Sequence, residues 1–272
     1  MKIVIIGCGY VGSALSKFWK DAGFHLTATT RKPERKKELR EVADEVFILP
    51  EDGKDFDELL DNVSLIALTL ASDNFAAFEK TYLHTAQALA KTLKNHPTVN
   101  QVIYTSSTSV YGEQQGAWVD ETKILMPQNE RERILLATEQ CLLECHKESG
   151  PNVCILRLGE IYGPGREIAD RLKKMSSKPI PGTGENYTNL IHREDIVQAM
   201  DFAREKKLNG IYNLCNDVHI PRKELYNRLC KDKGIPQVSW DPTLSNPFVG
   251  NKRISNAKIK ALDFIFHHQE IF

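Results

Sequence analysis

The chain opens with Lys2-Ile3-Val4-Ile5-Ile6-Gly7-Cys8-Gly9-Tyr10-Val11-Gly12-Ser13-Ala14-Leu15. Ile3 to Ile6 are apolar without interruption and all β-branched, the composition of a strand buried on both faces of a parallel sheet. Three glycines follow at G-x-G-x-x-G spacing, and Ser13 to Lys20 read as a helix. Each glycine has a mechanical reason. Gly7 permits the sharp turn, Gly9 lets a pyrophosphate approach the backbone, and Gly12 lets the helix pack closely on its strand. The amides that open the helix are unsatisfied within it, and its dipole favours negative charge there. Such a motif is weak alone, because turns need glycine, but here it stands between a strand and a helix as it must. The stretch reads as a dinucleotide-binding βαβ unit, with Gly7, Gly9, Tyr10, Val11 and Gly12 as cofactor contacts.

Working outward, Phe24–Thr30 is a second strand, set off from the first helix by Gly23. The end of this strand selects the ribose in such units: an acid holds the 2′-hydroxyl, whereas bases accept a 2′-phosphate. Thr29-Thr30-Arg31-Lys32 contains no acid, which favours NADP over NAD and places Thr30, Arg31 and Lys32 at the ribose. The alternative is that Arg31 and Lys32 merely begin the charged helix Pro33–Val42. Val46–Leu49 is a third strand, Phe56–Leu60 a short amphipathic helix, and Val63–Ala71 a fourth, central strand. Its end at Leu70 and Ala71 should pass beside the cofactor, since ligands bind at the carboxyl ends of strands in open parallel sheets. Phe75–Leu93 reads as a long helix and Val99–Tyr104 as a fifth strand. Strands and helices alternate without repeats or low-complexity linkers, which defines an α/β, Rossmann-like, doubly wound parallel sheet.

The 272 residues suffice for one large domain, or a domain with an appendage. The expected division is a nucleotide-binding domain over residues 1–158 and 187–218, with a small C-terminal substrate lobe over 159–186 and 219–272. Charge balances at 36 basic against 36 acidic residues, so nothing points to nucleic acid or an anionic membrane as partner. No apolar run approaches the ~20 residues that span a bilayer. Lys2 begins the buried strand directly, leaving no room for a signal peptide, and the expected location is cytoplasmic. The six cysteines show neither disulfide nor zinc spacing, and no metal site is expected; Cys141, Cys145 and His146 read as a buried helix face.

The second informative stretch is Tyr104-Thr105-Ser106-Ser107-Thr108-Ser109-Val110-Tyr111-Gly112. Its hydroxyls, Thr105 and Ser106 among them, stand at a strand end where a cofactor ring and a substrate carbonyl would meet, unless they only satisfy their own loop backbone. S-S-x-S-V-Y-G resembles the signature of the extended short-chain dehydrogenase/reductases, the NAD-dependent epimerase/dehydratase branch. Arg157-Leu158-Gly159-Glu160-Ile161-Tyr162-Gly163-Pro164-Gly165-Arg166, Asn189-Leu190-Ile191-His192-Arg193-Glu194-Asp195-Ile196-Val197, Ile211-Tyr212-Asn213-Leu214 and Asn251-Lys252-Arg253-Ile254-Ser255-Asn256 resemble further family segments, in order. The resemblance implies a Ser/Thr, Tyr and Lys catalytic set, a small-molecule substrate, and a homodimer paired through the helices Phe75–Leu93 and Glu130–Lys147.

Ser107 matches the Ser/Thr position. The tyrosine position falls on Arg131 and the lysine position on Leu135, so the Y-x-x-x-K pair is missing. A guanidinium stays protonated and does not shuttle protons as a phenol does. Tyr111 or Tyr162 could present a phenol instead, or pack with a satisfied hydroxyl. Arg131 could bind an anionic substrate group, or lie in a charged helix surface; Ile161 is a further substrate-side candidate. Two functions remain open at this level. One is an NAD(P)-dependent oxidoreductase or epimerase/dehydratase-like enzyme acting on a small carbonyl or alcohol, with Ser107 and Tyr111 as catalytic candidates. The other is an NADP(H)-sensing protein without turnover. The proline-punctuated segment (Pro236, Pro242, Pro247) and the tail Phe264–Phe272 belong to the substrate-side lobe, the tail either packed or frayed.

Overall fold

The structure is a computed structural model and describes residues 1–49, 56–147, 150–175, 178–244 and 250–269. Pro247 and residues 270–272 of the tail lie outside the described residues. The chain divides into two compact units: Met1–Ser106 with Asn129–Arg157 and Val197–Tyr212, and Ser107–Gln128 with Leu158–Ile196 and Asn213–Phe272.

The first unit is built on a seven-stranded sheet whose strands, in chain order, are β1 (Lys2–Ile6), β2 (His25–Thr30), β3 (Glu45–Ile48), β4 (Leu65–Leu68), β5 (Gln101–Ser107), β6 (Asn152–Leu158) and β7 (Gly210–Leu214). Their spatial order is β7-β6-β5-β4-β1-β2-β3, and the four pairings among β1 to β5 are parallel. The order reverses direction next to β1, which makes the carboxyl end of that strand the topological switch point of the sheet. Apolar runs become strands here because both faces are covered: Ile3, Val4, Ile5 and Ile6 are all fully buried. Helices α1 (Tyr10–Asp21) and α2 (Lys36–Val42) follow β1 and β2 in the chain, and on one face of the sheet Val4, Ile6, Ile66, Leu68, Val102 and Ile155 pack with Leu89 of α3 (Thr85–Leu93) and Leu142 of α4 (Glu130–Lys147). Trp19, on α1 (Tyr10–Asp21), is fully buried and donates its indole N–H to Asp201 at 2.8 Å.

Four local expectations shift. Phe56–Leu60 folds as turns rather than a helix, with Leu60 N–H bonded back to Phe56 O; the segment still buries Phe56, Leu59 and Leu60. The fourth strand is shorter than expected, because its partner β1 ends in the turn at Gly7; Thr69 N–H makes the last ladder bond, to Ile6 O. The third helix starts later than Phe75. Asn74 Oδ1 caps a turn by accepting Ala77 N–H at 2.9 Å, and a π-helical segment, Lys80–His84, leads into α3. The charged run that opens α4 is not all surface: Asn129 and Glu132 form a reciprocal cap, and Glu132 is buried.

Behind β5 lies a buried ion pair. Arg157 on β6 grips both oxygens of Glu139 on α4 at 2.6 to 3.2 Å, and Ser106 Oγ donates to Glu139 at 2.6 Å. Both charged side chains are at most 2% exposed. The second unit pairs short strands, 160–162 with 190–192, 180–181 with 240–241 and 118–119 with 253–254. Ile168 and Leu172 of α5 (Ile168–Met175) pack there against Leu225 and Leu229 of α7 (Arg222–Lys233). The tail is packed through its described residues, Phe264 and Phe266 being buried.

Removing one partner of a buried pair leaves an uncompensated charge, which typically costs about 3–5 kcal/mol. Arg157→Met should therefore lower the unfolding free energy by about 3–5 kcal/mol in urea melts followed by circular dichroism, far more than the exposed pair Lys17–Asp21 yields to Lys17→Met.

Candidate functional site

The glycine turn closes in the way its spacing demands. Gly7 has φ of +88°, and its N–H is held by Thr29 Oγ1 at 3.1 Å. A Cβ there would stand 2.8 Å from Thr69 O; one on Gly12 would stand 2.5 Å from Thr69 Oγ1 and 2.8 Å from Gly7 O. Thr69 Oγ1 in turn donates to Gly7 O at 2.7 Å. Gly9 differs: a Cβ there would meet nothing closer than 3.9 Å. Its lack of a side chain therefore leaves open space over the backbone, where a ligand can approach. Helix α1 begins at Tyr10 with no side-chain cap hydrogen bond and no acid in its first turn, where the helix dipole favours negative charge.

At the end of β2, Thr30 is buried and its Oγ1 accepts Lys32 N–H at 3.1 Å. The two expected bases are already engaged within the first unit: Arg31 donates to Thr81 Oγ1 at 3.2 Å, and Lys32 pairs with Asp73 at 3.3 Å. The base that touches the glycine turn is Arg35, whose Nη1 donates to Cys8 O at 2.7 Å while Glu38 takes its other nitrogens. Sequence reasoning missed it. The available signal was the second arginine of Arg31-Lys32-Pro33-Glu34-Arg35, which the 3₁₀ turn Pro33–Arg35 swings back toward the loop. Burial pushes the Cys8 thiol up to about 11, so this cysteine stays protonated beside the turn.

Leu70 is half-buried and Ala71 exposed beyond the end of β4. The hydroxyls of Thr105 and Ser106 are both committed inward, Thr105 to Leu68 O at 3.2 Å and Ser106 to Glu139. Arg131 sits over the rings of Phe75 and Phe78, 5.8 and 5.1 Å from their centroids.

In the second unit, Ser107 Oγ accepts from both Ser109 N–H and Ser109 Oγ, at 3.2 and 2.9 Å. Two accepted bonds leave the Ser107 hydrogen for an outside acceptor. Tyr111 is buried and its hydroxyl donates to Asn213 Oδ1 at 2.8 Å. Tyr162 is half-buried; burial and the nearby Asp195 push its phenol up to about 12. Ile161 is half-buried beside it. Asp195 opens helix α6 (Arg193–Glu205), and it also accepts the backbone N–H groups of His267 and His268, which fastens the tail. His192, Glu194 and His268 bring ligand atoms within 4.8 Å of one another. Their two imidazoles are stacked, centroids 3.7 Å apart, so their in-plane lone pairs do not converge on one ion.

Strand, glycine turn and uncapped helix at the switch point of a parallel sheet define a Rossmann-type nucleotide-binding architecture. Residues 3–215 match the family model of the NAD dependent epimerase/dehydratase family, and the chain belongs to that family. Protein YeeZ of Escherichia coli K12 is 31% identical over 265 residues, covering 94% of this chain and 93% of its own. A UDP-glucuronic acid 4-epimerase from Bacillus cereus solved in complex with NAD superposes with a TM-score of 0.79 at 22% identity, covering 98% of this chain and 94% of its own. A UDP-glucose 4-epimerase from Thermotoga maritima, solved with UDP-glucose, gives 0.85 at 19% identity, over 100% and 96%. At those identities the two epimerases show the shared fold. Among the described residues no helix is long and apolar enough to cross a membrane.

The close approach at Thr69 yields a direct test. Gly12→Ala should destabilise the protein by about 1–3 kcal/mol through overpacking. Thr69→Ala, which removes the nearest atom, should cost less in the Gly12→Ala background than in the parent. Urea melts of the four proteins measure this coupling.

Proposed function

We propose that the protein binds NAD(P), with NADP preferred, and interconverts a small carbonyl compound and its alcohol. The observation that carries the reading is the open backbone over Gly9 at the uncapped start of α1, with Arg35 against Cys8 O. Gly7, Gly9, Tyr10, Val11 and Gly12 would receive the pyrophosphate, and Leu70 and Ala71 would flank the dinucleotide. Thr30, Arg31, Lys32 and Arg35 would face the adenosine ribose, with Lys32 and Arg35 turning from Asp73 and Glu38 and Arg31 from the Thr81 hydroxyl toward a 2′-phosphate. The B. cereus epimerase that shares the fold was solved with NAD, which supports a dinucleotide and leaves the phosphate preference to these bases. When bound, the nicotinamide supplies or accepts the hydride. The chain's own part is to hold the carbonyl oxygen, and Ser107, whose hydrogen is free to point outward, is the donor for it. Thr105 and Ser106 shape the strand end from within.

The matching proton is not carried by Arg131, because a guanidinium does not shuttle protons as a phenol does. Tyr111 donates its proton to Asn213 and Tyr162 to His268 O, so either would have to leave its partner, and a water reaching the carbonyl oxygen is the simplest relay for the proton. That same absence of the Tyr-Lys pair favours a second reading, a protein that senses NADP(H) without turnover.

Fluorescence titration with NADPH and NADH tests the cofactor shared by both readings, and a carbonyl-substrate screen separates them. NADPH should bind at least ~10-fold more tightly. Arg35→Ala should weaken NADPH by roughly 10- to 100-fold, the worth of a charge-assisted bond, and change NADH little. Equal affinities would remove the bases from the ribose, and binding of neither would end the cofactor reading. In a carbonyl-substrate screen, Ser107→Ala should lower turnover about 100-fold with NADPH affinity intact. NADPH binding without turnover on any carbonyl would establish the sensor.

A further inference from the structure

Within the first unit, a cleft of about 910 Å³ opens between the last turns of α3 and α4. Its lining includes Asn100, just before β5, and Asn152, the first residue of β6, whose N–H donates to Asn100 O at 2.9 Å. β5 runs parallel to β4, and β4 to β1, so the cleft lies at the opposite end of the sheet from the glycine turn. Cys141, Glu144 and Cys145 form its wall on the α4 side, and the buried Leu93 and Val99 give it apolar surface. A Cβ on Gly150 would collide with Cys145 O, so the chain there runs directly against the last turn of α4 and fixes that wall.

Cys141 and Cys145 stand four residues apart on one helix, which places their Cβ atoms about 5–6 Å apart on the same face. Both are half-buried rather than sealed in the core, whereas Cys8, Cys154, Cys215 and Cys230 are at most 2% exposed. Cys145 Sγ donates to Cys141 O at 3.5 Å, which turns the second thiol back along the helix toward the first. Burial, and then the nearby Glu144 charge, push the Cys141 thiol up, so it stays protonated at neutral pH. The number of thiols decides what the cleft can hold. A structural zinc ion takes four ligands. Among the described residues, the only three His, Cys, Asp or Glu side chains with ligand atoms close enough for one ion are His192, Glu194 and His268. A centre with two open valences needs no more than the pair.

We propose that Cys141 and Cys145 form a dithiol site for a trivalent arsenical that carries one organic group. Two As–S bonds form as the two As–O bonds of the hydrated arsenoxide break, and each thiol proton leaves with a hydroxide as water. Arsenic stays trivalent throughout, so the step needs neither oxidant nor reductant. The organic group lies against Leu93 and Val99, in a cleft with room for an aromatic ring. Closing the second bond within one chain adds about 10²–10⁴ in affinity over a single thiol. None of these residues belongs to the proposed dinucleotide site, and the two proposals stand or fall separately.

The test is intact-mass spectrometry of the full chain, reduced and then treated with phenylarsine oxide. One arsenical per chain should survive a wash with the monothiol β-mercaptoethanol and leave with the dithiol dimercaprol. The bound arsenical should shield Cys141 and Cys145, and no other cysteine, from N-ethylmaleimide in peptide mapping. Cys141→Ser and Cys145→Ser should each weaken binding about 100-fold or more, and Cys230→Ser should leave it unchanged. The mapping uses the parent chain, so it decides the assignment even where a variant folds poorly. No adduct, an adduct mapped to another cysteine, or undiminished binding in either α4 variant would overturn it.

Discussion

The structure depends most on how closely three pieces of backbone meet where β1 ends. The turn at Gly7, the first turn of α1 and the residue after β4 come together so tightly that a single added carbon on Gly7 or Gly12 would collide with Thr69 or with the turn itself. Thr69 answers the approach with a hydrogen bond to Gly7 O, and Thr29, on the other neighbouring strand, accepts Gly7 N–H. This convergence stops β1, limits the ladder with β4, and aims the start of α1 over the carboxyl edge of the sheet. The start of α1 has no side-chain cap, and the helix dipole favours an anion at that end.

A second constraint operates behind β5. Arg157 and Glu139 bury their charges against each other, and Ser106 adds its hydroxyl to the same carboxylate. Desolvating such a pair gains little stability by itself, because lost hydration offsets the attraction. Its consequence is geometric: α4, β5 and β6 are tied at one point. Beyond that tie the chain reaches Ser107, which receives two hydrogen bonds from Ser109 and is left with a hydrogen to donate.

Much of the architecture was legible in the sequence because it follows from local composition. The uninterrupted β-branched run Ile3–Ile6 became the buried strand β1, and the glycine spacing found its turn. Family membership was legible from segments spread along the chain, from Ser106-Ser107 to Lys252-Arg253. What failed to show were features set by the partner strand or by side-chain direction. The early end of β4 depends on where β1 stops, and nothing in Val63–Ala71 itself signals it. Arg35 contacts the glycine turn only because a 3₁₀ turn bends it back. Asp195 looked like a helix-start acid and is one, yet its buried carboxylate also fastens the tail, a contact 72 residues away in sequence. The hydroxyl cluster at the end of β5 read as a set of donors; the structure separates Thr105 and Ser106, turned inward, from Ser107, which has a proton to offer.

The central claim is that the edge formed by the glycine turn and the start of α1 receives a dinucleotide. Amide hydrogen exchange with and without NADPH tests it most directly. Protection should increase at residues 7–13 and 30–35, with the sheet interior unchanged. Protection confined to other segments, or no change at saturating NADPH, would contradict it.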